Sequence, residues 1–289
     1  MAGELRLGGR TFGSDELVVM AIVNRTPDSF FDRGATYHSD SALRAVQRAV
    51  DEGAEIVDIG GVKAGPGADV DVTEEIRRTV DTIAAVRAAF PEVVISIDTW
   101  RAEVAVEAVA AGADLLNDTW SGADPALARV AAQTGAGLVC SHAGGLSPRT
   151  RPHRAAFADV VADVVTTVTG LAERAVSLGV RPDGILIDPA HDFGKNTRHS
   201  LEITRRLGEL TATGWPLLVA LSNKDFIGET LDLPVTERLE GTLAATAVSA
   251  WLGARVFRAH QVRPTRRVLD MVAAVRGTRP PRLTRRGLA

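Results

Sequence analysis

Eight short β-branched runs in this chain each end in residues that can hold a proton, an anion or a metal. The ends are Asn24, Asp58, Asp98, Asn117-Asp118, Ser141-His142, Asp188, Ser222-Asn223-Lys224-Asp225, and Arg258 with His260. Any one of them can cap the next helix or sit in an internal ion pair, and Asp58 and Asp118 are read that way. His142 is read as structural. Asp98, Asn117, Asp188 and Lys224 together ask for more. Two carboxylates, an amide and an ammonium facing one volume match the edge of an aminopyrimidinone ring, whose amino and N–H groups a carboxylate accepts and whose carbonyl a lysine reaches. Arg258 and His260 share one side of a strand. With Asn24 they form a corner of two potential cations and a neutral oxygen, suited to a phosphate or diphosphate. A divalent metal in that corner would be held through Asn24 and the ligand's oxygens.

For these groups to meet, the runs must be parallel strands of one sheet. The runs are Leu17–Val23, Glu55–Ile59, Val93–Ile97, Asp114–Asn117, Ala136–Ser141, Gly184–Asp188, Pro216–Leu221 and Arg255–Arg258. They are nearly continuous in apolar residues, as strands buried on both faces must be. Stretches with helical spacing separate them: Ser41–Asp51, Thr73–Phe90, Arg101–Ala111, Pro125–Gln133, Phe157–Leu178, Ser200–Leu210, Glu237–Leu252 and Thr265–Val275. In Thr73–Phe90, Ile76, Val80, Ile83 and Val86 recur every three or four positions. Asp40 and Thr73 are expected as N-caps, and Gly53, Gly112, Gly135 and Gly179 as helix ends. Eight βα units in strict order predict a single (β/α)8 TIM barrel over residues 17–276, with function at the carboxyl ends of its strands. Residues 1–16 read as a hairpin covering one end, and 277–289 as a disordered Arg/Pro tail.

Bulk composition agrees. Apolar residues make up 45% of the chain and aromatics only 4%, so aliphatic side chains must fill the core. The net charge of -3, with no basic patch in the body, argues against nucleic acid as a partner. The first residues lack a signal-peptide pattern, and no apolar run is long enough to span a membrane. The lone Cys140 lies in an apolar run and reads as a small buried hydrophobe. These features lead to the expectation of a cytoplasmic protein. The sequence offers no zinc-ligand cluster, no glycine-rich dinucleotide loop and no Ser–His–Asp arrangement.

Taken in order, the motifs resemble those of dihydropteroate synthase. They are Asn24-Arg25-Thr26-Pro27-Asp28-Ser29-Phe30, Asp58-Ile59-Gly60-Gly61, Ile97-Asp98-Thr99, Asn117-Asp118, Ile187-Asp188-Pro189 with Phe193-Gly194-Lys195, and Ser222-Asn223-Lys224 with Phe226-Ile227-Gly228. The resemblance runs from about residue 17 to 270. It implies joining of 6-hydroxymethyl-7,8-dihydropterin diphosphate to p-aminobenzoate, with the diphosphate leaving before the arylamine attacks. It further implies that Asp98, Asn117, Asp188 and Lys224 hold the pterin. Asn24, Arg258 and His260 would then hold the diphosphate and its Mg2+, with Lys224, Asp98 and Arg258 closest to the chemistry. The family's habit of pairing through its later helices implies a homodimer.

Departures from the family pattern gather on the acceptor side. Its Glu-Ser-Thr-Arg after the paired glycines is here Val62, Lys63, Ala64 and Gly65. The arginine before the pterin lysine is Asn223, and the serine after it, which bonds the acceptor carboxylate, is Asp225. In the first loop, Arg25 stands where a small apolar residue is usual, and Arg33 replaces a glycine. Two like charges ~4 Å apart at an effective dielectric near ~20 repel by about 4 kcal/mol, and a lost charge-assisted hydrogen bond adds roughly 1.5–3 kcal/mol. Protonation of Asp225 or pairing with Lys63 would soften this. The expectation is a divergent second paralogue with a serviceable pterin diphosphate site and weak or absent synthase activity. The alternatives are an active synthase with a modified acceptor, and a non-catalytic pterin or anion binder. Pterin-dependent methyltransferase barrels rank last, having no evident reason to keep Arg258 and His260.

Overall fold

Side chains alternate in and out along each strand of the main sheet, and the inward series changes from apolar to polar along the strands. A computed structural model describes residues 3–26, 39–150 and 156–287. Strands β1 (Leu5–Leu7) and β2 (Arg10–Phe12) pair antiparallel. The chain continues through β3 (Val18–Asn24), α1 (Ser39–Asp51), β4 (Ile56–Gly60), α2 (Val72–Ala89), β5 (Val94–Asp98) and α3 (Ala102–Ala110). Next come β6 (Leu115–Asp118), α4 (Leu127–Thr134), β7 (Gly137–Ser141), α5 (Val160–Ser177), β8 (Ile185–Asp188), α6 (Thr197–Arg205) and α7 (Leu207–Thr211). The last elements are β9 (Leu218–Ala220), α8 (Asp225–Leu231), α9 (Leu239–Trp251), β10 (Val256–Ala259) and α10 (Val262–Val275). The sheet order is β8-β7-β6-β5-β4-β3-β10-β9, and a parallel bridge between Ile187 and Leu217 joins its two ends. The result is the expected (β/α)8 barrel, nearly closed.

Two separate cores follow from the alternation. Outward residues such as Val19, Val57, Ile95, Leu116, Ile187 and Phe257 pack under the helices. Inward Met20, Ile56, Val94, Leu115, Leu186 and Val256 fill the lower barrel together with Leu5, Leu7 and Phe12 of the hairpin. The hairpin therefore plugs the floor, each of its fully buried large side chains contributing about 1.5–3 kcal/mol. Buried Arg255 fastens it: Nη1 donates to Gly3 O at 2.6 Å, and Nη2 donates to Phe12 O at 3.2 Å and Gly13 O at 2.5 Å. With the floor sealed, a ligand can enter only from the carboxyl ends of the strands.

Several local expectations change. The cap of α2 is Asp71, not Thr73; its Oδ1 accepts from Glu74 N at 2.8 Å, because the helix begins at Val72. Helix α1 begins at Ser39, so Asp40 lies inside its first turn. The single helix expected over Ser200–Leu210 is two, α6 and α7, broken at Arg206 (φ -101°, ψ 20°). That arginine is held by Asp159, Glu202 and Glu209. The glycines are in the left-handed region where expected, Gly53, Gly112, Gly135 and Gly179 among them. In the described part of the tail, Arg279 and Arg282 both bind Asp270 of α10. Asp28 and Arg33 of the first loop lie outside the described residues. Among the described residues, no helix is long and apolar enough to cross a membrane.

Candidate functional site

Strand register sets the polar residues above the apolar floor. Asn24 lies level with Gly60, Asp98 and Asn117 across β3 to β6, while Asp58 lies one inward position lower, level with Ile22 and Ser96. Asp58 is fully buried and gathers three donors. Its Oδ1 accepts from Ser96 Oγ at 2.6 Å, and its Oδ2 accepts from Asn117 Nδ2 at 3.1 Å and Arg258 Nε at 2.6 Å. The reading of Asp58 as half of an internal ion pair therefore holds. Asp118, pointing outward, caps its own loop by accepting from Trp120 N and Gly122 N.

Arg258 spans the pocket. Besides Asp58, its Nη2 donates to Asp98 Oδ2 at 2.8 Å, and Thr119 Oγ1 donates to the other oxygen at 3.3 Å. Burial pushes the Asp98 carboxyl up to about 7, against the pull of Arg258 and with the nearby Asp58 and Glu75 charges adding to the rise. Asp188 is also buried; its Oδ1 accepts from Ala190 N at 2.7 Å, and burial raises its pKa against the opposing field of Lys224. The Lys224 ammonium donates to His191 O and lies 5.0 Å from the Phe193 ring centroid. Burial pulls it below the usual lysine range, opposed by Asp192 and Asp188.

The corner expected of Arg258, His260 and Asn24 is differently arranged. Arg258 lies level with Met20, well below Asn24, and faces the two carboxylates. Burial and the adjacent Arg258 push the His260 imidazole down to about 3 in the ligand-free site. The Arg258 guanidinium is shared between Asp58 and Asp98.

Three features of the site depend on contacts that sequence spacing does not show. Trp120 and Phe193 form an edge-to-face pair, centroids 5.3 Å apart, with the Phe193 ring also under Lys224. Buried Lys195 donates to His142 O at 2.9 Å, Ala190 O at 3.2 Å and Phe193 O at 2.8 Å, tying the loops after β7 and β8 together. Three carbonyls match the three donors of an ammonium. His142, as expected, is structural: its Nε2 lies 2.7 Å from Asp163 Oδ1, and burial pushes its imidazole down to about 4. The third feature is Arg238, whose Nη1 donates to Asp225 Oδ1 at 3.0 Å and to Asn223 O at 3.0 Å, while Nε donates to Leu233 O at 3.1 Å. Gly228 makes room for it; a Cβ there would lie 2.3 Å from the guanidinium carbon.

Asn223 explains its own presence. It is buried at φ 56°, a left-handed conformation that asparagine tolerates better than arginine. Its N–H donates to Thr242 Oγ1 at 3.1 Å and its Nδ2 to Gln261 Oε1 at 3.2 Å. Half-buried Lys63 lies in the loop after β4, and in the same loop Gly65 O accepts from Arg149 Nε at 3.4 Å. Arg25 turns out of the barrel, its Nε donating to Arg78 O at 2.9 Å. No group of three or more His, Cys, Asp or Glu side chains that could hold a metal occurs among the described residues.

Acceptors and cations thus gather above the apolar floor, at the carboxyl ends of the strands, where barrels of this fold carry their functional sites. The family described as pterin binding enzyme matches residues 20–260, and the chain belongs to it. Within that family it is a divergent relative of dihydropteroate synthase. It is 60% identical over 287 residues to "Inactive dihydropteroate synthase 2" of Mycobacterium leprae, covering 98% of this chain and 99% of that one. It is 37% identical over 263 residues to dihydropteroate synthase of Bacillus subtilis, covering 90% and 89%. A crystal structure of Yersinia pestis dihydropteroate synthase with a sulfonamide drug complex superposes with a TM-score of 0.90 at 34% identity, covering 96% of this chain and 100% of that one.

Proposed function

We propose that this protein binds 6-hydroxymethyl-7,8-dihydropterin diphosphate and makes little or no dihydropteroate from it. One observation carries the reading: Asp98, Asn117, Asp188 and Lys224 lie at the carboxyl ends of the strands, while the loop after β9 carries the Asp225–Arg238 ion pair. Asp98, Asn117 and Asp188 would accept from the ring's amino and N–H groups, and Lys224 would donate to its carbonyl. Arg258 would leave one carboxylate to meet the diphosphate, with His260 gaining a proton as the anion arrives. The name "Inactive dihydropteroate synthase 2" of the Mycobacterium leprae relative, 60% identical, supports the lack of synthase activity.

Asn24 suits Mg2+ in a limited way. It offers one hard oxygen at the rim, and Mg2+ commonly binds through one or two protein oxygens plus phosphates and waters. Bound there with the ligand's diphosphate, it would neutralise charge on the departing group. The surrounding residues do the rest, orienting the ring and closing the floor to water. Exposed Val248 and Trp251 on α9 and Met271 and Val275 on α10 support a homodimer through these helices.

Calorimetry with the pterin diphosphate, with and without Mg2+, followed by a product assay with p-aminobenzoate, tests the reading. Micromolar binding without turnover is expected. Turnover like that of an ordinary synthase sinks the claim of impairment, and no binding at all sinks the pterin assignment.

A further inference from the structure

Asn117 is level with Asp98 on the inward face of the barrel, and its two amide ends have different fates. Nδ2 donates downward to Asp58 Oδ2 at 3.1 Å, while Oδ1 is buried and has no hydrogen-bond partner among the described residues. An amide reads a ligand as donor or acceptor according to which end faces it, and only the surrounding network decides that. Here the network is a single buried group. Asp58 is fully buried, accepts from Ser96 Oγ and Arg258 Nε as well, and so offers acceptors to everything around it. Turning Asn117 over would set its oxygen against a carboxylate oxygen and forfeit the bond to Asp58.

We propose that Asp58 is the positioning residue that fixes Asn117 as an acceptor and thereby sets the pocket's preference for an amino-bearing ring edge over an oxo-bearing one. This rests on the pterin reading above and deepens it. Asp58 touches no ligand; it acts through Asn117. The orphaned Oδ1 supplies the reason a ligand donor is needed at that point, because a buried acceptor left without a partner is costly. The ion pair with Arg258 does not by itself account for Asp58, since Arg258 retains Asp98 as a second partner.

The test compares 6-hydroxymethylpterin with its 2-oxo counterpart by calorimetry, in the wild type, in Asp58→Ala and in Ser96→Ala. The quantity read is the ratio of the two affinities within each protein, which a general loss of stability does not move. The wild type is expected to favour the amino ligand by roughly tenfold to a hundredfold, the range for one hydrogen bond to a buried group. In Asp58→Ala the freed amide can turn, and the ratio is expected to drop by about tenfold. Ser96→Ala, which leaves the Asp58–Asn117 bond in place, is expected to keep the wild-type ratio. An Asp58→Ala ratio equal to the wild type's overturns the assignment while leaving the pterin site standing. Should that variant fail to fold, equal wild-type affinity for the two ligands overturns it as well. A wild type that binds neither ligand removes both the inference and the pterin reading.

Discussion

The carboxylate of Asp225 is bound to the guanidinium of Arg238, with Nη1 and Oδ1 3.0 Å apart. The residue that the proposed function sets on the acceptor side thus comes with a counter-ion already in place. Its repulsion of an incoming carboxylate is correspondingly weaker than for a bare charge. What persists is the missing serine hydroxyl, and with Arg238 spent on Asp225 no cation is contributed by this loop in its place.

Asp225→Ser is therefore expected to raise affinity for p-aminobenzoate by about tenfold to a hundredfold, the worth of one regained charge-assisted hydrogen bond. A gain of several thousandfold would mean that the unpaired charge mattered after all. Because the Asp225 side chain is 50% exposed, losing its ion pair should cost no more than about 1 kcal/mol of stability. Acceptor calorimetry in the presence of pterin diphosphate and a thermal melt read the two effects separately.

Arg238→Leu should be far more damaging. The arginine side chain is mostly buried, and its loss strands the carbonyls of Asn223 and Leu233 at the turn that presents Lys224. A cost of about 2–4 kcal/mol is expected in denaturant unfolding, together with weaker pterin binding. Arg238→Lys should recover little of either, since an ammonium cannot span three acceptors in the plane of a guanidinium.

Lys195→Met removes the three bonds to His142, Ala190 and Phe193 carbonyls while keeping most of the side-chain volume. Roughly 3–5 kcal/mol of destabilisation is expected from leaving buried acceptors unpaired. Amide hydrogen exchange should quicken first in the loops after β7 and β8, because the clamp joins those two. Uniform quickening over the whole barrel would contradict a local clamp.

Asp98 gives a pH dependence whose two effects run in opposite directions. Burial lifts its carboxyl to about 7, so the ionised form, which in the proposed function accepts from the pterin, accumulates only above that pH. Pterin affinity should accordingly climb between about pH 6 and about pH 8 and level off beyond. A raised acid pKa makes the folded state hold its proton more tightly than the unfolded chain. The stability that it contributes is fully present below the ordinary carboxylate range and is lost as pH rises through about 7. Asp98→Asn should flatten both profiles in calorimetry and in unfolding.

Much of this protein was legible in its residues alone. The alternation of β-branched runs with helical stretches allows few arrangements other than a parallel barrel, because each run must be buried on both faces. The polar ends of the runs then meet at one rim by topology, which is why the sequence alone groups Asp98, Asn117, Asp188 and Lys224. The break between α6 and α7 and the seven-residue helix α8 were not legible. Both are too short for periodicity to mark them, and both depend on partners distant in sequence, as Arg206 does on Asp159.

Contacts between strands decided the rest. Spacing reveals that Arg258 and His260 share a face; it cannot reveal that Arg258 lies level with Met20, turned to Asp58 and Asp98, or that burial keeps His260 neutral. Nor does Asp225 announce Arg238, thirteen positions away and brought to it by the notch at Gly228. Residue types determine which chemistry is available, because charge and hydrogen-bonding capacity belong to the side chain. Which atom faces the pocket, and with what pKa, is set by burial and by neighbours from other strands, and those exist only once the barrel has closed.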